Sequence, residues 1–445
     1  MSSLENPPRN AAGTFRRNDN TAVFACLFLV LTISGCGVNR LEKRREGYRA
    51  FYEGNPDGAA ELLAKAEHKK DRLLFALDRG LIAHTLGRPD ESNAAFAEAE
   101  RIFAEVDVRD VTDEAASLLV NDYSIEYKGE DFEKVLVHPF KALNYLTLEQ
   151  PSEALVECRA LNEKLVELQE KYERKSVYSE DAFARYLSGV IYESAGNKND
   201  ALVDCRLAVS AFDKHEEWYG TPFPPSLRES VLRLAEAQGL SHVMKEFRER
   251  WPDQTWTPYD DRKELGELVL VLENGQAPVK ESARFDVAIG GQLYSVSFPT
   301  YRAIPPEAVY GVFRAGEGSA RTEIVGDVSA IAVKDLEDRY HRVIAKQAAR
   351  LLVKHVEVDK VKKENWLLGT VLNLVNSANE QADLRSWETL PGSFQMARLT
   401  LPPGYYDRST LELYGKGGRI VDTVDLGPWE VVAGRTRFLY YRTLR

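Results

Sequence analysis

The pattern of apolar and polar positions divides the chain into three parts. The first is a short, unbroken apolar run from Thr21 to Ile33. From Leu41 to about Trp251, apolar residues recur three and four apart, which predicts a series of amphipathic helices. Residues 252–264 (PDQTWTPYDDRKE) break both patterns and read as a linker. Beyond them the apolar runs shorten to strand length at Glu267–Leu272, Arg284–Ile289, Tyr294–Phe298 and Val309–Arg314. Helical spacing returns at about Ser329–His355 and Trp366–Asn379. Strand patterns close the chain at Phe394–Leu401, Thr410–Tyr414, Arg419–Asp425 and Thr436–Arg442. The expected fold is a mainly α N-terminal helical solenoid followed by an α+β C-terminal domain with an antiparallel sheet. The expected boundaries are 1–35, 36–251, 252–264 and 265–445.

The helical part repeats itself. Glycines and alanines fall in phase at Gly47, Ala50, Gly54, Ala59, Leu63, Ala66 and again at Gly80, Ala83, Gly87, Ser92, Phe96, Ala99. A third set reads Ala142, Tyr145, Glu149, Ala154, Cys158, Leu161. A fourth reads Gly189, Tyr192, Gly196, Ala201, Cys205, Ala208. These offsets resemble tetratricopeptide repeats (TPRs), in which small residues let two helices of a hairpin approach closely. The spacing predicts an insertion over Asp107 to Phe132, a lengthened helix through Lys164, Leu168 and Tyr172, and a single capping helix over Ser226 to Arg250. Cys158 and Cys205 share one repeat position. Neighbouring hairpins stand ~8–10 Å apart and a disulfide needs Cα atoms within ~7 Å, so both are expected as unpaired, buried small side chains.

The first apolar run has Arg16 and Arg17 before it and Ile33-Ser34-Gly35-Cys36 at its end. It is too short for a comfortable span of ~20 residues. An aliphatic residue, two small ones and a cysteine match the lipobox of bacterial lipoproteins. The resemblance implies cleavage between Gly35 and Cys36, with Cys36 acylated and serving as the membrane anchor. Gly37 in place of aspartate then implies an outer-membrane address facing the periplasm.

Charge narrows the partners. The net charge is −11, and loss of residues 1–35 removes one further net positive charge. An acidic chain without a basic run is repelled by nucleic acid. A stripe of Arg339, Arg342, Lys346, Arg350 and Lys354 reads as a solvated helix face paired with Asp335, Glu337 and Asp338. No GxSxG, SxxK or HExxH pattern occurs, and the seven histidines have no metal-ligand spacing in sequence. The expectation is a protein without catalytic residues, cofactor or metal.

Two further stretches carry a family resemblance. Asn121–Arg159 (NDYSIEYKGEDFEKVLVHPFKALNYLTLEQPSEALVECR) is similar to the signature of an uncharacterised family of bacterial TPR-containing lipoproteins. Glu273–Lys280 (ENGQAPVK) and Ala382–Pro391 (ADLRSWETLP) resemble that family's C-terminal part. The resemblance assigns no activity. It marks Glu133, Asn144, Tyr145, Asp383, Arg385 and Trp387. Of these, Asn144 and Tyr145 are expected in helix packing, Asp383 and Arg385 in a structural ion pair, and Trp387 in the core. The expected function is a TPR scaffold that docks an envelope protein partner. The alternative is a C-terminal domain that binds or hydrolyses peptidoglycan.

Overall fold

The computed structural model describes residues 42–113, 125–171, 180–289, 292–339 and 382–445. Gly35, Cys36, the apolar stretch Trp366–Asn379 and the basic residues Arg342, Lys346, Arg350 and Lys354 lie outside them. Among the described residues no helix is long and apolar enough to cross a membrane.

Among the described residues ten helices form five successive hairpins. They are α1 (residues 42–52) with α2 (Pro56–Lys65), α3 (Arg72–Thr85) with α4 (Pro89–Asp113), and α5 (Asp131–Thr147) with α6 (Pro151–Lys171). The last two pairs are α7 (Ala182–Ser194) with α8 (Lys198–Tyr219), and α9 (Pro225–Ala237) with α10 (Ser241–Arg250). The repeat glycines explain the pairing. A Cβ on Gly47 would lie 2.7 Å from Leu63, one on Gly80 2.5 Å from Phe96, and one on Gly189 2.7 Å from the Cys205 Sγ. In these three hairpins a side chain of the second helix therefore seats directly over a glycine of the first. Phe96 also stacks on Phe140 of the next hairpin, with centroids 5.9 Å apart. The turns at Gly54, Gly87 and Gly196 have positive φ, the conformation glycine adopts without steric cost. Glu149 takes the same turn position in the third repeat at φ 56°.

One expectation needs correction. Ser226 to Arg250 is not a single capping helix. Gly239 turns the chain at φ 65° and makes a fifth hairpin. The two cysteines are free and buried, as expected. Burial pushes the Cys158 thiol up to about 12.

The strands form two stacked sheets and one separate hairpin. The central sheet has the order β10 (Thr436–Arg442), β1 (Gly266–Asn274), β7 (Ser393–Leu401), β6 (Glu323–Asp327). The outer sheet has the order β5 (Gly318–Arg321), β4 (Tyr310–Ala315), β8 (Gly404–Tyr414), β9 (Ile420–Val431). Among the described residues β2 (Val279–Ile289) and β3 (Gln292–Arg302) pair only with each other. All pairings are antiparallel except β1 with β10, which run parallel, so the central sheet is mixed rather than purely antiparallel. A helix α11 (residues 328–339) follows β6.

β1 is buried along its whole length because it is covered on both faces. Leu268, Leu270 and Leu272 point into a core shared with Phe313, Leu399, Leu411 and Leu413 of the sandwich. The alternate residues Val269 and Val271 join a second core made mainly by the helices. That core also takes in Phe394, Met396, Trp387 and Val325, so helical and β parts share one apolar interior. The linker at 252–264 separates two kinds of sequence, and Trp256 and Tyr259 within it pack against that same core.

Candidate functional site

The first helix of every hairpin faces the β part. Tyr52 of α1 donates to the Glu388 carbonyl at 2.6 Å, and Phe183 of α7 stacks on Phe394 of β7 with centroids 4.1 Å apart. Between these contacts lie three buried polar clusters, all on the seam where the helices meet the central sheet.

The first surrounds His84 of α3. Its Nε2 lies 2.7 Å from Glu273 Oε1 at the end of β1, and its Nδ1 lies 2.6 Å from Asn144 Oδ1 on α5. Asn144 Nδ2 donates to Ser92 and Asn93, each at 2.8 Å, which fixes its amide orientation. Tyr440 of β10 stacks on the imidazole at 3.9 Å. His84 and Glu273 both have 0% exposure.

The second cluster receives the strap 382–392. Glu133 accepts the Trp387 backbone N–H at 2.7 Å and the Tyr127 hydroxyl at 2.6 Å. Arg385 pairs with Asp383 and Asp71, and Trp387 sits edge-on to Phe96 and Phe140. The ion pair and the core aromatic expected from the sequence are both present. Asn144 lies in the helix seam as expected, while Tyr145 is only partly buried beside it. Nearby, Glu130 binds Lys280 of β2 and Arg339 of α11, and Arg339 also pairs with Asp335. The pairing of Arg339 with Asp335 is as expected, and Glu130 draws the same side chain partly inward.

The third cluster sits at the other end of β1. Glu267, Glu193 of α7, Arg233 of α9, Arg262 and Arg398 of β7 are all nearly buried. Arg398 bridges both carboxylates and donates to Ser230 at 2.6 Å. Burial opposes ionisation of Glu267, but Arg398 and Arg262 outweigh it and hold the carboxyl down at about 2.

A fourth group was invisible in the sequence spacing. Glu100 of α4, His138 of α5 and Glu157 of α6 place ligand-type atoms within 4.8 Å of one another. The Lys141 ammonium lies 2.7 Å from both carboxylates and already takes the cation's place there.

Two carboxyls against the strap titrate in an unusual range. Burial raises Asp78 to about 7, although Thr389 and Tyr48 donate to it. Burial and the nearby Asp78 charge raise Glu388 to about 7, against the pull of Arg44. Asp335 reaches about 7 for the same desolvation reason. Each holds its proton more tightly folded than unfolded. The stability this supplies is full below the ordinary carboxylate range and is lost as pH rises through about 7. Glu267, whose carboxyl is held down, titrates below this window. The unfolding midpoint is therefore expected to fall between pH 5.5 and pH 8. Asp78→Asn should flatten that slope, since each pKa unit is worth ~1.4 kcal/mol. Urea melts of both proteins at the two pH values check this.

An open cleft lies at the edge of the seam. Its volume is about 620 Å³, and it runs between the segment Pro222–Ser226 and the strand edges at 309–310 and 320–324, with Met396 and Arg398 at its floor.

Comparison with known proteins gives little further. No family model and no curated protein matches the chain. Among solved structures it is similar to the crystal structure of MamA, with 13% identity and TM-score 0.29, covering 47% of this chain and 93% of that one. It is also similar to the Rap protein complexed with competence and sporulation factor, with 15% identity and TM-score 0.30, covering 47% of this chain and 51% of that one. This chain thus spans about half the length of the Rap protein. A third structure, MamA MSR-1 C2, gives 14% identity and TM-score 0.27, covering 48% of this chain and 98% of that one. Likeness at this level says nothing about activity.

Proposed function

We propose that this protein is a lipid-anchored scaffold of the bacterial cell envelope, tethered through Cys36 to the outer membrane on its periplasmic side, and that it works by binding proteins rather than by catalysis. The observation that carries the binding half of this reading is the sealed seam. The inner face of the hairpins, with its His, Glu and Asp clusters, is filled by the chain's own sheet. Among the described residues the outer helices and the cleft are open. Val156 of α6 and Val203 of α8 occupy the same repeat position on adjacent hairpins and are 44% and 56% exposed. An outward apolar pair repeated in this way suits contact with another protein. The tethering half rests on the lipobox at 33–36. An acidic body gains no attraction from anionic lipid heads, and acyl chains would supply the membrane affinity.

Metabolic labelling with palmitate tests the anchor. The wild-type protein should take up label and fractionate with outer membranes, and Cys36→Ala should lose the label and leave the membrane fraction. Equal membrane association of the two forms would refute the tether.

A further inference from the structure

At the start of β1 several turns meet around a small cavity. Gly266 lets the turn between β9 and β10 press in, since a Cβ there would lie 2.4 Å from Val431 and 2.6 Å from the Val432 carbonyl oxygen. Gly434 turns the chain at φ 69°, and its N–H donates to the Leu265 carbonyl at 2.8 Å. These two glycines bring Arg435 beside the strand. The helical turn Asp261–Glu264 and the end of α7 form the other walls. The enclosed volume is about 120 Å³, with Glu193, Tyr259, Arg262, Lys263, Glu267 and Arg435 among the lining residues. Sites for drug-sized ligands begin at ~300 Å³, so this cavity suits a small ion.

The charges decide which kind of ion. At the floor, Arg233, Arg262 and Arg398 share the two carboxylates of Glu193 and Glu267. Three guanidiniums on two carboxylates leave one positive charge over. Arg262, which lines the cavity, carries that surplus. Its Nη1 donates to Glu193 at 3.3 Å and its Nη2 lies 2.6 Å from Glu267, while its Nε has no acceptor among the described residues. Burial pushes the Arg262 pKa down, and the charges of Arg398 and Arg233 add to this against the pull of Glu267 and Glu193. At the mouth, Lys263 is paired with Asp260, so those two charges cancel. Arg435 is exposed and has no ion-pair partner among the described residues. Lys198 lies 4.1 Å over the Tyr259 ring and has none either. Asp261 and Glu264 of the same turn are exposed to water and do not line the cavity. A cation entering here would meet the surplus at the floor, whereas an anion would neutralise it.

We propose that this cavity binds a small oxyanion, a phosphate or carboxylate group taken up between Arg262 at the floor and Arg435 at the mouth, with the Tyr259 hydroxyl as a further donor. A guanidinium pairs with such groups through charge-assisted N–H bonds, which a point charge such as lysine supplies less well. The cavity walls come from α7, the linker, β1 and the turn before β10. A bound anion therefore joins the helical part to the central sheet, and its occupancy stabilises the folded chain by mass action. The site goes beyond the protein-binding reading and stands without it.

The test is thermal unfolding of the full-length protein in detergent, titrated with inorganic phosphate or with acetate, against sodium chloride at the same ionic strength. Calorimetry then gives the dissociation constant. At least one of the two oxyanions should raise Tm saturably beyond the effect of chloride, and which one does so assigns the group as phosphate or carboxylate. Arg435→Gln removes a donor at the mouth and should weaken binding about tenfold or more. Arg262→Lys keeps the charge at the floor but loses the planar N–H fork, and should weaken binding likewise. Melts without added anion confirm that each variant folds. A Tm that neither phosphate nor acetate raises beyond chloride, or binding that both substitutions leave unchanged, would overturn the proposal. Either result leaves the scaffold reading intact, and failure of palmitate labelling of Cys36 would leave this site standing.

Discussion

Trp387→Ala should lower the unfolding free energy by about 3–5 kcal/mol, the usual cost of emptying a fully buried aromatic site. Trp387 is 1% exposed and touches Phe96 from one helix and Phe140 from another. The strap that carries it, 382–392, contacts α3, α4 and α5. Its backbone N–H is held by Glu133, so the cavity left by alanine cannot close by simple collapse of the strap. Trp387→Phe should cost distinctly less. It keeps most of the ring, and it removes an indole Nε1–H that has no acceptor among the described residues. Equilibrium denaturation of the two variants gives the comparison directly. Equal losses would mean that the strap is held by its polar contacts alone.

Arg398→Met is expected to have a similar effect for a different reason. The guanidinium joins Glu193 of α7 to Glu267 of β1 and also reaches Ser230 of α9. Its loss leaves two buried carboxylates sharing Arg233 and Arg262. Breaking a buried ionic cluster by removing one member costs about 3–5 kcal/mol. The two glutamates would then bind protons more readily, so the variant should regain stability as pH falls toward 5. The double variant Arg398→Met, Glu267→Leu should recover only part of the loss, because it also takes from Arg262 the carboxylate 2.6 Å away. Urea melts at pH 5 and pH 7.5 check this, and a loss independent of pH would show that Arg398 acts by packing and not by charge.

The sequence was readable where a local rule acts. The glycines at 47, 80 and 189 announce close helix pairs, because any side chain there would meet the bulky residue opposite. The strand ends were readable from alternation, and β1 stood out as a continuous apolar run. What stayed hidden depends on contacts between distant residues. The string ELVLVLE at 267–273 presents Leu268, Leu270 and Leu272 to one layer. It presents Glu267, Val269, Val271 and Glu273 to the other. Nothing local says that both glutamates point inward, since their partners His84 and Arg398 lie 189 and 131 residues away. The fifth hairpin was missed because Gly239 sits in a stretch that otherwise keeps helical spacing. Of the residues singled out by family resemblance, Glu133, Asn144, Arg385 and Trp387 converge on the seam between helices and strap. They therefore explain how the chain closes on itself.

The central claim is that the helical hairpins and the β layers are one cooperative unit, with the inner helix face closed by the chain itself. Native-state hydrogen exchange followed by mass spectrometry measures this most directly. Peptides from α5, α7, β1 and β7 should show the same free energy of opening and shift together in Trp387→Ala. If α5 and α7 open at markedly lower free energy while β1 and β7 stay protected, the two parts fold independently and the inner helix face is free to bind a partner.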